Sequence, residues 1–93
     1  MIRSFDCRNT EKIWNGQSTR VFPSQIQDRI LPKLRQIDSS SSLEDLKNPP
    51  GNHLEILKKD RLGQFSIRIN DQWRICFRFI NGDAFDVAVV DYH

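Results

Sequence analysis

The stretch Phe65-Ser66-Ile67-Arg68-Ile69-Asn70-Asp71-Gln72-Trp73-Arg74-Ile75-Cys76-Phe77-Arg78-Phe79 decides the fold. Phe65, Ile67 and Ile69 alternate with Ser66, Arg68 and Asn70, and Trp73, Ile75, Phe77 and Phe79 alternate with Arg74, Cys76 and Arg78. A period of two sends one set to a buried face and the other to the opposite face of a strand. The link Asn70-Asp71-Gln72 is short enough to join the two runs as an antiparallel hairpin. Downstream, Asn81-Gly82 is the dipeptide most favoured in a type I′ turn, and it leads into Phe85–Val90, apolar on both faces apart from Asp86, as in an interior strand.

Upstream of Pro49-Pro50-Gly51 the period is helical. Ile26, Ile30, Leu34 and Ile37 recur at steps of four, four and three, one stripe of a helix starting near Ser24. Pro32 falls inside that stripe and predicts a kink or two shorter helices. Thr10–Trp14 reads as a short helix stopped by Asn15-Gly16, and Ile2–Phe5 as a short opening strand. Leu43 and Leu46 suggest one more turn with Ser42 as N-cap, after a serine loop, Ser39–Ser42. Helices followed by an antiparallel meander predict a single α+β domain over residues 1–93.

Composition narrows the function classes. The chain has 93 residues, of which 38% are hydrophobic and 28% charged, so it is neither a disordered tail nor an integral membrane protein. No apolar run approaches the roughly 20 residues of a membrane helix, and the first residues lack the apolar core of a signal peptide. Cys7 and Cys76 stand far apart without clustered Cys or His, which argues against a disulfide framework or a zinc site. The expectation is a reduced, cytoplasmic protein without metal or cofactor.

The net charge of +2 is mild, but its distribution is uneven. Lys58, Lys59, Arg61, Arg68, Arg74 and Arg78 face only Asp60 and Asp71 within their span, whereas Asp83, Asp86 and Asp91 close the chain with no further Lys or Arg. Such a strip either solvates a strand face or holds an anion. Ser66, Arg68 and Asn70 are expected on one side, joined there by Arg74 and Arg78 after the turn. Guanidinium forks suit phosphate oxygens. If the last strand pairs beside them, it delivers Asp91-Tyr92-His93, which supplies an imidazole for proton transfer and a phenol for stacking on a base. His93 as a solvated tail residue, Tyr92 as a core cap, Asp91 in a structural ion pair and His53 as a loop residue are the simpler readings. Cys76, inside an apolar strand, reads as packing.

Pro49-Pro50-Gly51-Asn52, Leu54-Glu55, Leu57-Lys58 and the run from Asp60 through Phe77 resemble the middle of the HigB-type toxins of the RelE superfamily, also called plasmid-maintenance killer proteins. Met1-Ile2-Arg3-Ser4-Phe5 and Val90-Asp91-Tyr92-His93 extend the resemblance over essentially the whole chain. It implies a RelE-like fold and the toxin of a type II toxin–antitoxin module. Such a toxin is a metal-independent endoribonuclease that cuts messenger RNA in the ribosomal A site and inhibits translation. Its partner would be a HigA-type helix-turn-helix antitoxin, with operator DNA reached only through the toxin–antitoxin complex. By the same resemblance, Asp91, Tyr92 and His93 fall on a carboxy-terminal catalytic motif and Arg74 on a phosphate-binding arginine. Arg68 and Lys58 take basic positions near the cleft, where Lys59, Arg61 and Arg78 would add RNA contacts. A described member of the family has histidine where this chain has Glu55. Whether Glu55, Lys58 or no residue replaces it is open, and His53, two residues away, would share a face with Glu55 on a strand. A ParE-like toxin directed at DNA gyrase and a non-catalytic co-repressor are the alternatives; the terminal Asp-Tyr-His together with Arg74 favours the nuclease.

Overall fold

The computed structural model describes residues 1–91. Its sheet contains β1 (Glu55–Ile56), β2 (Phe65–Arg68), β3 (Trp73–Ile80) and β4 (Asp83–Asp91), antiparallel throughout and ordered as in the chain. Two helices, α1 (Arg8–Trp14) and α2 (Ser24–Ser39), precede it, so the α+β expectation holds. The alternation in the central stretch sorts as the periodicity requires. Ile67 and Ile75 are fully buried with Phe77 beneath the helices, and Arg68 stands directly opposite Arg74 on the other face.

Both hairpin turns have local causes. The Asn70 side-chain oxygen accepts the backbone N–H groups of Gln72 (2.9 Å) and Trp73 (2.8 Å), which bends the chain between β2 and β3. Asn81 and Gly82 both take positive φ, 52° and 84°, as a type I′ turn demands. Between Cys76 and Arg78 the pairing with β4 slips, so that Phe77 alone faces Asp86 and Val87. Asp86 is in the left-handed region at this bulge, with φ 55°.

The α2 stripe lies where its spacing puts it: Ile26, Ile30, Leu34 and Ile37 are buried against Ile67, Ile75 and Val89. Pro32 does not divide the helix, which runs uninterrupted for 16 residues. An interior proline costs about 3 kcal/mol, whereas each buried aliphatic side chain contributes about 1.5–3 kcal/mol; four of them outweigh the missing N–H. At the carboxyl end the Ser39 and Ser40 hydroxyls donate to the Gln36 carbonyl, occupying an acceptor the helix leaves open.

Three further expectations are revised. The opening strand is reduced to two isolated parallel bridges, Ile2 to Ala84 and Phe5 to Val87, which cover the outer edge of β4. That cover accounts for the apolar character of β4 even though it ends the strand order. The turn at Leu43–Lys47 is 3-10 rather than α-helical, and the Asp45 carboxylate accepts the Ser41 and Ser42 amides, which lowers its pKa from the ordinary value. The strand considered for His53 and Glu55 is only the two-residue β1, Glu55–Ile56, and excludes His53. Docking of α1 rests on a buried polar contact, in which the Thr10 hydroxyl accepts the Val89 N–H at 3.0 Å.

Leu34 is fully buried at the centre of this packing. Leu34→Ala is expected to lower stability by about 2–5 kcal/mol, read as a drop in the urea midpoint without loss of the native far-UV spectrum.

Candidate functional site: the arginine face

The sheet face turned away from the helices carries two rows of side chains. One row runs Glu55, Ser66, Cys76 and Ala88; the next runs Arg68, Arg74 and Val90. Placing two guanidinium groups directly opposite each other costs stability unless each finds other partners. Both do. Arg68 donates to the Asp71 carboxylate across the hairpin turn. Arg74 is drawn inward: only 7% exposed, it donates from Nε to the Ser66 hydroxyl at 2.7 Å, and from Nη2 to the Ser66 carbonyl at 3.3 Å and to the His53 carbonyl. Its Nη1 has the Glu55 carboxylate 3.9 Å away, an ion-pair distance beyond a hydrogen bond. Three donor contacts thus fix the plane of the guanidinium while Nη1 keeps its protons for another acceptor.

His53 takes part through its backbone. It closes the 3-10 turn Pro50–Asn52 in a left-handed conformation (φ 43°, ψ 58°) that aims its carbonyl at Arg74. It is therefore not on a strand and shares no pleat with Glu55, contrary to the sequence-based geometry. The turn is pinned from α2. Buried Asn52 donates to the Gln36 side chain (3.1 Å) and to the Leu46 and Asn48 carbonyls (3.2 Å each), and its oxygen accepts from Lys33. Partial burial pulls the Lys33 pKa below the ordinary lysine value. Sequence reasoning missed Asn52 and Ser66 as supports; a polar residue predicted inside a Pro-Pro-Gly turn, or on a half-buried strand beside arginine, was the available signal.

The remaining cations form a second group. Lys58, Lys59 and Arg61 lie on the loop between β1 and β2, at the other end of β2 from Arg68. Arg61 donates to the Gln64 side chain at 3.3 Å. Arg78 pairs with Asp86 at 3.3 Å and has Nη1 against Gly63, where an added Cβ would stand 2.9 Å away. Arg74 and Arg78 are four residues apart on one strand, about 13 Å at 3.3 Å per residue. One phosphate cannot bridge that span; a strand of phosphates can. Cys76 is buried between the two groups, where desolvation raises its thiol pKa while the fields of Arg61 and Arg74 work against that rise.

Asp91 does not stand beside Arg74. Its cross-strand partner is Trp73, so the pleat turns it to the opposite side, where it accepts from the Gln72 amide at 3.0 Å. Arg74 instead faces Val90, because the expected alignment of the last strand is offset by one residue. Tyr92 and His93 lie outside the described residues. Among the described residues no group of three or more His, Cys, Asp or Glu could hold a metal ion, and no helix is long and apolar enough to cross a membrane.

The model of the family described as "RelE-like toxin of type II toxin-antitoxin system HigB" matches residues 3–93. The chain is 39% identical over 93 residues to "Endoribonuclease HigB" of Proteus vulgaris, covering 100% of both. It is 38% identical over 65 residues to "Toxin HigB-1" of Vibrio cholerae serotype O1, covering 70% of this chain and 68% of that protein. A chain of the YoeB–YefM complex from Staphylococcus aureus superposes with a TM-score of 0.62 over 100% of this chain and 95% of its own, at 22% identity, which shows a shared fold.

Ser66 is fully buried and accepts the Arg74 Nε proton. Ser66→Ala leaves that donor unpaired away from water, and an expected loss of about 1–3 kcal/mol is measurable by urea denaturation.

Proposed function

This chain belongs to the HigB-like family of RelE-like toxins of type II toxin–antitoxin systems, and we propose that it is a ribosome-dependent endoribonuclease that cleaves messenger RNA in the cytoplasm and is held inactive by a HigA-type antitoxin. The observation that carries the reading is the direct opposition of Arg68 and Arg74. Two guanidinium groups in register on a sheet face are an unfavourable arrangement for stability alone and a favourable one for phosphate.

The proposed reaction needs no metal. The ribose 2′-hydroxyl attacks its adjacent phosphorus, the bond from phosphorus to the 5′-oxygen breaks, and the products are a 2′,3′-cyclic phosphate and a 5′-hydroxyl. The 2′ proton passes to a base and the leaving 5′-oxygen takes one from an acid. Arg74 Nη1, with Arg68 assisting, stabilises the charge that grows on the phosphorane. His93 supplies one of the two proton transfers. Glu55, half exposed and 3.9 Å from Arg74 Nη1, is the proposed carboxylate for the other, in the place of the family histidine. Tyr92 stacks on a base next to the scissile linkage. In this reading Asp91 orients His93 or a neighbouring cation. Lys58, Lys59, Arg61 and Arg78 contact flanking phosphates. The ribosome contributes the orientation that the toxin does not supply, the entropic part of the barrier.

Deleting His93 removes one proton-transfer step and is expected to slow cutting of translated messages by about 10²–10⁴-fold while co-purification with ribosomes persists. Unchanged cutting would dismiss His93 from the chemistry. The purified protein is expected to cut a transcript in a translating extract and to leave the same bare transcript essentially intact; equal cutting in both would remove the ribosome from the mechanism.

A further inference from the structure

Each of the three arginines on the sheet face turned away from the helices has a carboxylate of its own. Arg68 is bonded to Asp71, Arg74 has Glu55 at 3.9 Å, and Arg78 has Asp86 at 3.3 Å. Three positive and three negative charges cancel on the sheet face itself, while Lys58, Lys59 and Arg61 on the neighbouring loop keep the excess positive charge. Two of the acids are placed by features that serve no evident packing purpose. Asp71 is 98% exposed at the tip of the β2–β3 turn, yet it spans the turn to Arg68. Asp86 occupies the bulge in β4 with φ 55°, and the guanidinium it meets lies against Gly63. A bulge that re-aims one side chain at one partner is a directed feature of a strand.

We propose that Asp71 and Asp86, together with Glu55, are built-in counter-ions that compete with RNA phosphates for the arginine face, so that the isolated protein holds single-stranded RNA weakly. This deepens the nuclease reading and rests on it for the identity of the ligand. The physical basis is substitution. Phosphate binding to a bare arginine displaces only diffuse ions, whereas binding to a paired arginine must also break a contact fixed within the protein. An RNA strand already oriented against the face carries a high local concentration of phosphate and makes that exchange, whereas a dilute free strand does not.

The test uses the full chain and a fluorescein-labelled 12-nucleotide oligouridylate, with binding followed by anisotropy across a series of salt concentrations. Asp71→Asn and Asp86→Asn keep the shapes of the side chains, and asparagine tolerates the left-handed backbone at position 86. Asp28→Asn, at an exposed acid on α2 behind the sheet, makes the same change in net charge away from the face. Each face variant is expected to bind about two- to fivefold more tightly at low salt. The salt dependence of log K is expected to steepen by about 0.7 for each additional phosphate that the face neutralises, and Asp28→Asn should do neither. Face variants that bind no tighter than Asp28→Asn, or tighten without a steeper salt dependence, overturn the proposal, as does a set in which no protein binds the oligonucleotide. Far-UV spectra and urea midpoints confirm that each variant is folded, and Asp86→Gly serves as a second bulge-compatible replacement. Cutting in a translating extract is scored separately. Its absence in every protein, wild type included, would refute the nuclease reading while leaving the binding comparison intact.

Discussion

A buried guanidinium organises this molecule. Arg74 is almost wholly withdrawn from water, and an unpaired charge in that position would cost several kcal/mol. The Ser66 hydroxyl and carbonyl and the His53 carbonyl meet that requirement, and each must be held in place in turn. Ser66 is fixed by β2. The His53 carbonyl depends on a left-handed turn, which depends on Asn52, which is tied to Gln36 and Lys33 of α2. One solvation demand on the sheet therefore determines the path of the Asn48–His53 segment and couples it to the helix on the opposite face.

The same constraint separates the arginines into different kinds. Arg74 is immobilised with one nitrogen left for a ligand, while Arg68 and Arg78 sit partly exposed and are restrained only by acids of the surface. An anion approaching the face meets one pre-oriented group and two that must change partners. Preorganised donors cost nothing to reorient when charge develops, so in the proposed reaction the fixed arginine would stabilise the phosphorane and the adjustable ones would contact flanking phosphates.

Most of the architecture was legible because it is written in short periods. The alternation in Phe65–Phe79, the Asn81-Gly82 turn and the Ile26–Ile37 stripe are local patterns, and each produced the element it announced. The departures share a different origin. The helix survives Pro32 because burial of its stripe outweighs one absent hydrogen bond, a tertiary effect no propensity records. β1 is two residues long and exists only because β2 offers it an edge. The candidate site was legible as residue types, and the shared face of Arg68 and Arg74 followed from the alternation, whereas their direct opposition rests on the register of the β2–β3 hairpin. The position of Asp91 depended on a register set by the Asp86 bulge, and a single added residue in one strand is enough to exchange the faces of everything beyond it. The support from Ser66, Asn52 and the His53 backbone is non-local, and backbone carbonyls carry no signature in a sequence.

The Met1–Phe5 segment lies along β4, with the Met1 ammonium and Arg3 both reaching Asp83. During synthesis this segment therefore has no binding site until the strand it grips has been made, long after both helices and the central hairpin. Sheet completion is a long-range closure of the kind that forms late and slowly. A nascent chain halted before residue 83 carries those earlier elements but offers nothing for its own opening residues to hold. Completion of the sheet is therefore deferred until β4 has left the ribosome.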